Sequence, residues 1–277
     1  MSLASKLPWT HRFAGGYPGI GSQPLPIDAD AIDYLSRMAT ADGAGVETGV
    51  ATAVDAFFRD AKAAGVFDAL KACCILAGAR TLAGALVPVV GDAPTNVADG
   101  FVEGDYSRTD GLTGDGATTY LDSGRAGDDD LQDDCHLALY VSTIASGSSA
   151  LIAAFTNVPS AFGKQINSTS FQDFFTRFNT SSTDGATSFQ AGFAGATRAD
   201  GDRYFKRNNS STREIVVPST GVSPEPVYVF ASSLGQVSDA SIAFYSIGDS
   251  LGSNPADGLA ALDTAVTNLI TAIGAAL

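Results

Sequence analysis

The chain has two histidines, three cysteines and many aspartates, and their spacing limits the chemistry they can do. A Ser-His-Asp relay needs a histidine base between a nucleophile and an orienting acid. His11 lies in a segment broken by proline and glycine. His136 directly follows Cys135, and neighbours along a strand point to opposite faces, so the two cannot act as nucleophile and base. Retaining glycosidases place two carboxyl groups on either side of the scissile bond. Glu103-Gly104-Asp105 lacks the second glutamate such a pair would need, and Glu214 and Glu225 stand alone. No glycine-rich phosphate loop followed by Lys and Ser/Thr occurs. The sequence therefore leads to the expectation that the protein is not an enzyme.

The densest acidic run is Asp128, Asp129, Asp130, Asp133 and Asp134. Calcium takes several hard oxygen ligands, and a loop rich in Gly and Asp can supply them. EF-hand spacing is absent, however, and charge runs are commonly solvated loops. A Ca2+ site and a solvated loop are both open, and no other cofactor is expected. Cys73, Cys74 and Cys135 lack zinc-site spacing. They read either as free thiols packed as small apolar groups or, the count being odd, as a source of an intermolecular disulfide. Phe171, Phe174, Phe175 and Phe178 crowd together, either as a sugar-stacking platform or as core.

The elements that must hold these residues follow from composition and periodicity. Asp and Glu number 30 against 16 Lys and Arg, a formal net charge of −14. A surface of that sign repels phosphate backbones, so nucleic acid is not an expected partner. No apolar run reaches the roughly 18 residues that span a bilayer, so membrane insertion is not expected either. Residues 1–26 combine several prolines and glycines with Trp9, Phe13, Tyr17 and Ile20. They read as an extended arm whose large apolar groups either fold back on their own domain or dock on a partner.

Residues 27–76 read as a small helical unit. Asp28 or Asp30 caps its first helix. Val46, Val50, Val54, Phe57 and Phe58 form one face of its second, and a short third helix begins at Val66. From residue 77 the pattern turns to short strands separated by turn residues, about ten of them, which argues for an antiparallel sandwich. Leu137, Leu139 and Val141 share one face of such a strand, and His136, Ala138 and Tyr140 the other. The chain then closes with a helix capped by Asn254 and started by Pro255. Its stripe is Leu259, Leu262, Val266, Leu269, Ile270 and Ile273.

Three segments carry a resemblance. They are Ala72-Cys73-Cys74-Ile75-Leu76-Ala77-Gly78-Ala79-Arg80-Thr81-Leu82-Ala83-Gly84-Ala85-Leu86-Val87-Pro88, Gly111-Leu112-Thr113-Gly114-Asp115-Gly116-Ala117-Thr118-Thr119-Tyr120-Leu121 and Ile242-Ala243-Phe244-Tyr245-Ser246-Ile247-Gly248-Asp249-Ser250-Leu251. Each is similar to segments of tailed-bacteriophage virion proteins with a concanavalin A-like, laminin G-like jelly roll, over residues 27–277 but not the arm. The resemblance implies a mainly β chain: an antiparallel jelly-roll β-sandwich at 77–277, preceded by the helical unit at 27–76 and ended by the amphipathic helix. It implies a place on the virion, at the tail or particle surface. The expected role is a non-enzymatic tail fibre, appendage or receptor-binding component. Trp9, Phe13, Tyr17 and Ile20 would anchor it to other virion proteins, and it would form a homo-oligomer. The fold family also includes lectins, laminarinases and alginate lyases, which leaves a lectin-type domain for host surface glycans, or a capsid decoration protein, as alternatives. No ligand residue is implied.

Overall fold

Asp28 opens the first helix, its carboxylate accepting from the backbone N–H of Asp30 at 3.0 Å and of Ala31 at 3.4 Å. These are two of the donors that every helix start leaves unpaired. The structure, a computed structural model, describes residues 27–97, 100–156, 162–168, 173–181, 184 and 187–277. The arm with Trp9, Phe13, Tyr17 and Ile20 lies outside the described residues.

The helices are α1 (Ala29–Asp42), α2 (Thr48–Ala63), α3 (Leu82–Ala85) and α4 (Pro255–Ala276). The strands are β1 (Leu70–Ile75), β2 (Pro88–Val90), β3 (Thr95–Asn96), β4 (Tyr106–Ser107), β5 (Gly111–Thr113), β6 (Leu121–Ala126), β7 (Cys135–Thr143) and β8 (Ser149–Thr156). They continue with β9 (Phe162–Ser168), β10 (Asp173–Phe178), β11 (Thr187–Ser188), β12 (Gly192–Arg198), β13 (Arg203–Asn208), β14 (Ser211–Val216), β15 (Pro226–Val229) and β16 (Ser241–Gly248). The first sheet runs β14-β13-β12-β7-β16-β1-β2, with β5 also on β16 and β4 on β5. The second runs β11-β10-β9-β8-β15-β6-β3. The described strand pairs are antiparallel. The protein is thus mainly β, two antiparallel sheets with a C-terminal helix.

Three layers result. Leu137, Leu139, Ile242, Tyr245 and Ile247 of the first sheet meet Ile152, Val227 and Val229 of the second in one core. The first sheet's other face, with Phe244 and Cys73, meets Val50, Val54 and Phe57 of α2 and Leu262 and Val266 of α4 in another. The first sheet is therefore covered on both sides, and all eight residues of β16 are buried. Leu259, Leu262, Val266, Leu269, Ile270 and Ile273 are all buried where α4 lies against α2, β12 and β13. Burying six such side chains contributes about 9–18 kcal/mol before chain entropy is counted. Arg207 of β13 pins the helix through Asp263 at 2.7 Å. By length and composition alone α4 could cross a membrane; here its apolar stripe is buried in the helical layer.

One expected element changes identity. The helical reading of residues 27–76 fails at its end, where Leu70–Ile75 is a strand between β16 and β2. The short helix expected from Val66 shrinks to a 3-10 turn at Phe67–Ala69. The cause is the two-sided burial of the first sheet. Cys73 and Ile75 face the helices, while Ala72 and Cys74 face the sandwich core, so no polar alternation marks β1 as a strand. The segment 27–76 consequently contributes a strand to the sandwich it precedes.

Candidate functional site

The acidic run does not converge. Asp130 is buried against the Arg125 guanidinium at 2.5 Å. Asp129 accepts from the Ala126 N–H at 2.8 Å, Asp134 accepts from the Ser250 N–H at 2.7 Å, and Asp128 is exposed. Asp129, Asp130 and Asp134 thus each take a different partner rather than facing a shared centre, and Asp133 Oδ1 is buried with no hydrogen-bond partner among the described residues. Among the described residues no three His, Cys, Asp or Glu side chains gather as a metal site. The Ca2+ expectation for Asp128, Asp129, Asp130, Asp133 and Asp134 is corrected accordingly.

The disulfide expectation is corrected as well. Cys73, Cys74 and Cys135 are free and buried. Cys73 packs toward the helices, Cys74 and Cys135 into the sandwich. Burial pushes the Cys73 thiol well up and the Cys74 thiol up to about 12. Thiols enclosed in the two cores do not reach a second subunit.

His136 has found a serine after all. Its Nε2 lies 3.1 Å from Ser246 Oγ, and its Nδ1 lies 2.6 Å from the Asp249 carbonyl oxygen. Both His136 and Ser246 are fully buried, so no substrate reaches the pair, and it serves as a tie between β7 and the end of β16. Three of the carboxylates considered for hydrolysis are also occupied. Glu103 accepts from the Leu82 N–H at the start of α3, Asp105 accepts from the Val102 N–H, and Glu214 pairs with Arg203.

The arrangement with binding chemistry lies on the outer face of the second sheet. Val227 and Val229 of β15 enter the sandwich core, so Tyr228 between them points outward. Strand register then aligns one residue from each of six strands. Thr95 pairs with Asp122, Asp122 with Tyr228, Tyr228 with Ala153, Ala153 with Gln165, and Gln165 with Arg177. At roughly 4.8 Å per strand this row is about 24 Å long. Tyr120 adds a second ring, its centroid 4.9 Å from that of Tyr228 at an interplanar angle of 64°.

Exposure falls along the row. Thr95 is exposed, Tyr120, Asp122 and Tyr228 are half-buried, and Ala153, Gln165 and Arg177 are buried. Burial, then the nearby Asp122, Tyr120 and Glu225, push the Tyr228 hydroxyl up, so it remains a proton donor at neutral pH. At the far end the Arg177 guanidinium lies 4.7 Å from the Phe155 ring. Its Nε and Nη1 have no hydrogen-bond partner among the described residues, and burial pulls its pKa down. At the accessible end, the Tyr228 and Tyr120 rings beside the Asp122 carboxylate and the Thr95 hydroxyl suit a polyhydroxylated ligand, whose apolar ring faces stack and whose hydroxyls hydrogen-bond, while Ala153, Gln165 and Arg177 continue the row below the surface.

The sequence left Phe171, Phe174, Phe175 and Phe178 open as a sugar platform or as core. Phe171 and the side chains of Phe174 and Phe175 lie outside the described residues, and Phe178 is core. The Val227-Tyr228-Val229 alternation was the available signal for an outward tyrosine. The row's other members come from five further strands, and no local pattern links them.

No family model matches the chain, and no curated protein matches it. Several solved structures do, at low similarity. Trypanosoma rangeli sialidase in complex with 2,3-difluoro-KDN is 8% identical with a TM-score of 0.45, covering 79% of this chain and 39% of its own. A mutant of that sialidase displaying trans-sialidase activity is 11% identical with a TM-score of 0.45, covering 77% and 39%. A leech intramolecular trans-sialidase is 13% identical with a TM-score of 0.34, covering 52% and 26%. The chain thus spans well under half the length of each. The expectation of a non-enzyme does not stand beside these sialidase and trans-sialidase neighbours. At these TM-scores the likeness assigns no activity to this chain in its place.

Proposed function

We propose that the protein is a receptor-binding component of a tailed-phage particle that recognises a host-surface glycan along the outer row of the second sheet. The observation that carries the glycan reading is the accessible end of the in-register row, Thr95, Asp122 and Tyr228, with Tyr120 beside Tyr228. The phage setting is supported by the sequence similarity of Ala72–Pro88, Gly111–Leu121 and Ile242–Leu251 to virion proteins. The same similarity, together with the chain's passage from the first sheet at β7 to the second at β8 and back again at β12, supports a concanavalin A-like jelly roll. In this reading residues 1–26 dock on other virion proteins through Trp9, Phe13, Tyr17 and Ile20. Several copies on one particle would then turn a weak single site into firm attachment.

The test is calorimetric titration of the full-length protein with purified host-cell polysaccharide. Tyr228→Ala removes the central ring and lowers affinity about tenfold, the equivalent of about 1.4 kcal/mol. Thr264→Ala, on the exposed side of α4, leaves affinity unchanged. Equal affinities for Tyr228→Ala and the parent protein would remove the row as the binding site.

A further inference from the structure

Lys206 and Asp184 are an acid and a base enclosed between the two sheets. Tyr204 of β13 lies in the sandwich core, and Lys206, two residues on, points the same way. Asp184 follows β10 of the opposite sheet. The Lys206 ammonium meets Asp184 Oδ2, with side chains 3% and 1% exposed. The other carboxylate oxygen, Oδ1, accepts from the Thr176 N–H at 3.0 Å and from the Thr176 hydroxyl at 3.2 Å. That hydroxyl lies 3.0 Å from the Tyr204 hydroxyl. One oxygen is thus polarised by two donors while an amine sits against the other. This is the geometry of acyl transfer, with Thr176 in the place of an oxyanion hole.

We infer that Lys206 and Asp184 condense into an intramolecular isopeptide bond that joins the first sheet to the second. Burial lowers the Lys206 pKa against the opposing pull of Asp184, which eases loss of a proton from the amine. A proton passes from Nζ to Oδ2. The freed nitrogen lone pair attacks Asp184 Cγ, the C–N bond forms, and the carbonyl electron pair moves onto Oδ1, where the Thr176 N–H and hydroxyl hold it. A second proton then passes from nitrogen to Oδ2, the Cγ–Oδ2 bond breaks, and one water leaves. The oxyanion collapses to the amide carbonyl. Amine and acid become amide and water, with no oxidant or external reactant. This modification site is independent of the glycan row.

Mass spectrometry of the full-length protein under denaturing conditions tests it. The expected mass is about 18 Da, one water, below that of the sequence, and digestion yields a branched peptide joining Lys206 to Asp184. Lys206→Met restores the full mass. Because the mass is read on unfolded protein, the parent chain alone decides the matter if that variant does not fold. A parent mass equal to the sequence value overturns the inference. So does a loss that persists in Lys206→Met or that comes without a branched peptide, because Asp184-Gly185 can lose the same water by cyclising on its own backbone.

Discussion

Gly111 and Gly124 both have left-handed backbone, at φ +84° and +73°, yet alanine should be tolerated very differently at the two. At Gly124 a methyl group would meet nothing within 4 Å. At Gly111 it would lie 2.1 Å from the Ile242 carbonyl oxygen and 2.6 Å from Ala243 Cα. Both obstacles are backbone atoms of β16, hydrogen-bonded in the middle of the first sheet, and cannot rotate away as a side chain could. Gly124→Ala then bears only the left-handed penalty, about 1–2 kcal/mol. Gly111→Ala bears the same penalty plus an overlap of about 1–3 kcal/mol. Gly104, with no positive φ and nothing within 4 Å, serves as a near-neutral control. Urea unfolding followed by circular dichroism gives the three stabilities, and calorimetry should place Gly111→Ala about 2–12 °C below Gly124→Ala. Equal loss in the two variants would refute the steric argument and the β5–β16 packing on which it rests.

Four further outcomes are expected. Arg198 is fully buried and donates to the carbonyl oxygens of Phe178, Asp200 and Val217 at 3.0–3.1 Å. An ammonium cannot span that fork, so Arg198→Lys should lose about 3 kcal/mol in urea unfolding, and a loss below about 1 kcal/mol would contradict the geometry. The Asp115 carboxylate is held below the usual range by the Thr118 hydroxyl and the N–H groups of Thr119, Thr118 and Ala117. A depressed acid stabilises above its unfolded pKa and loses that contribution as pH falls through its lower folded value. The melting gap between the parent and Asp115→Ala should therefore persist from neutral pH down to the ordinary Asp value of 3.8 and close only below it; a gap that closes above that value would be wrong. Chelator should leave the melting temperature unchanged, since no three His, Cys, Asp or Glu side chains among the described residues gather as a metal site. Thiol reagent should label Cys73, Cys74 and Cys135 only after unfolding, and a non-reducing gel should show no covalent dimer.

Where an element has one buried side, the sequence shows it plainly. The stripe from Leu259 to Ile273 marks α4, and Val50, Val54, Phe57 and Phe58 mark α2, because each helix keeps a solvent side for contrast. The first sheet offers no such contrast. β16 is buried throughout and β1 nearly so, and a short apolar run cannot by itself tell strand from helix. That is why Leu70–Ile75 reads as the end of a helical unit. The outer row was less legible still, since Thr95, Asp122, Gln165 and Arg177 become neighbours only through strand register. The acidic run left a shared site and a solvated loop both open, because proximity along the chain does not show where side chains turn; Arg125, Ala126 and Ser250 draw Asp130, Asp129 and Asp134 apart.

β16 is the hub of the first sheet, bonded to β7, β1 and β5, yet it is encoded by residues 241–248. On the ribosome, β1 with β2 and β7 with β12 can form early, but as two fragments, each with a bare rim where the hub belongs. Such rims invite pairing with other nascent chains. The sheet can close only after residues 241–248 have emerged, so both rims stay bare while everything between β1 and β16 is being made.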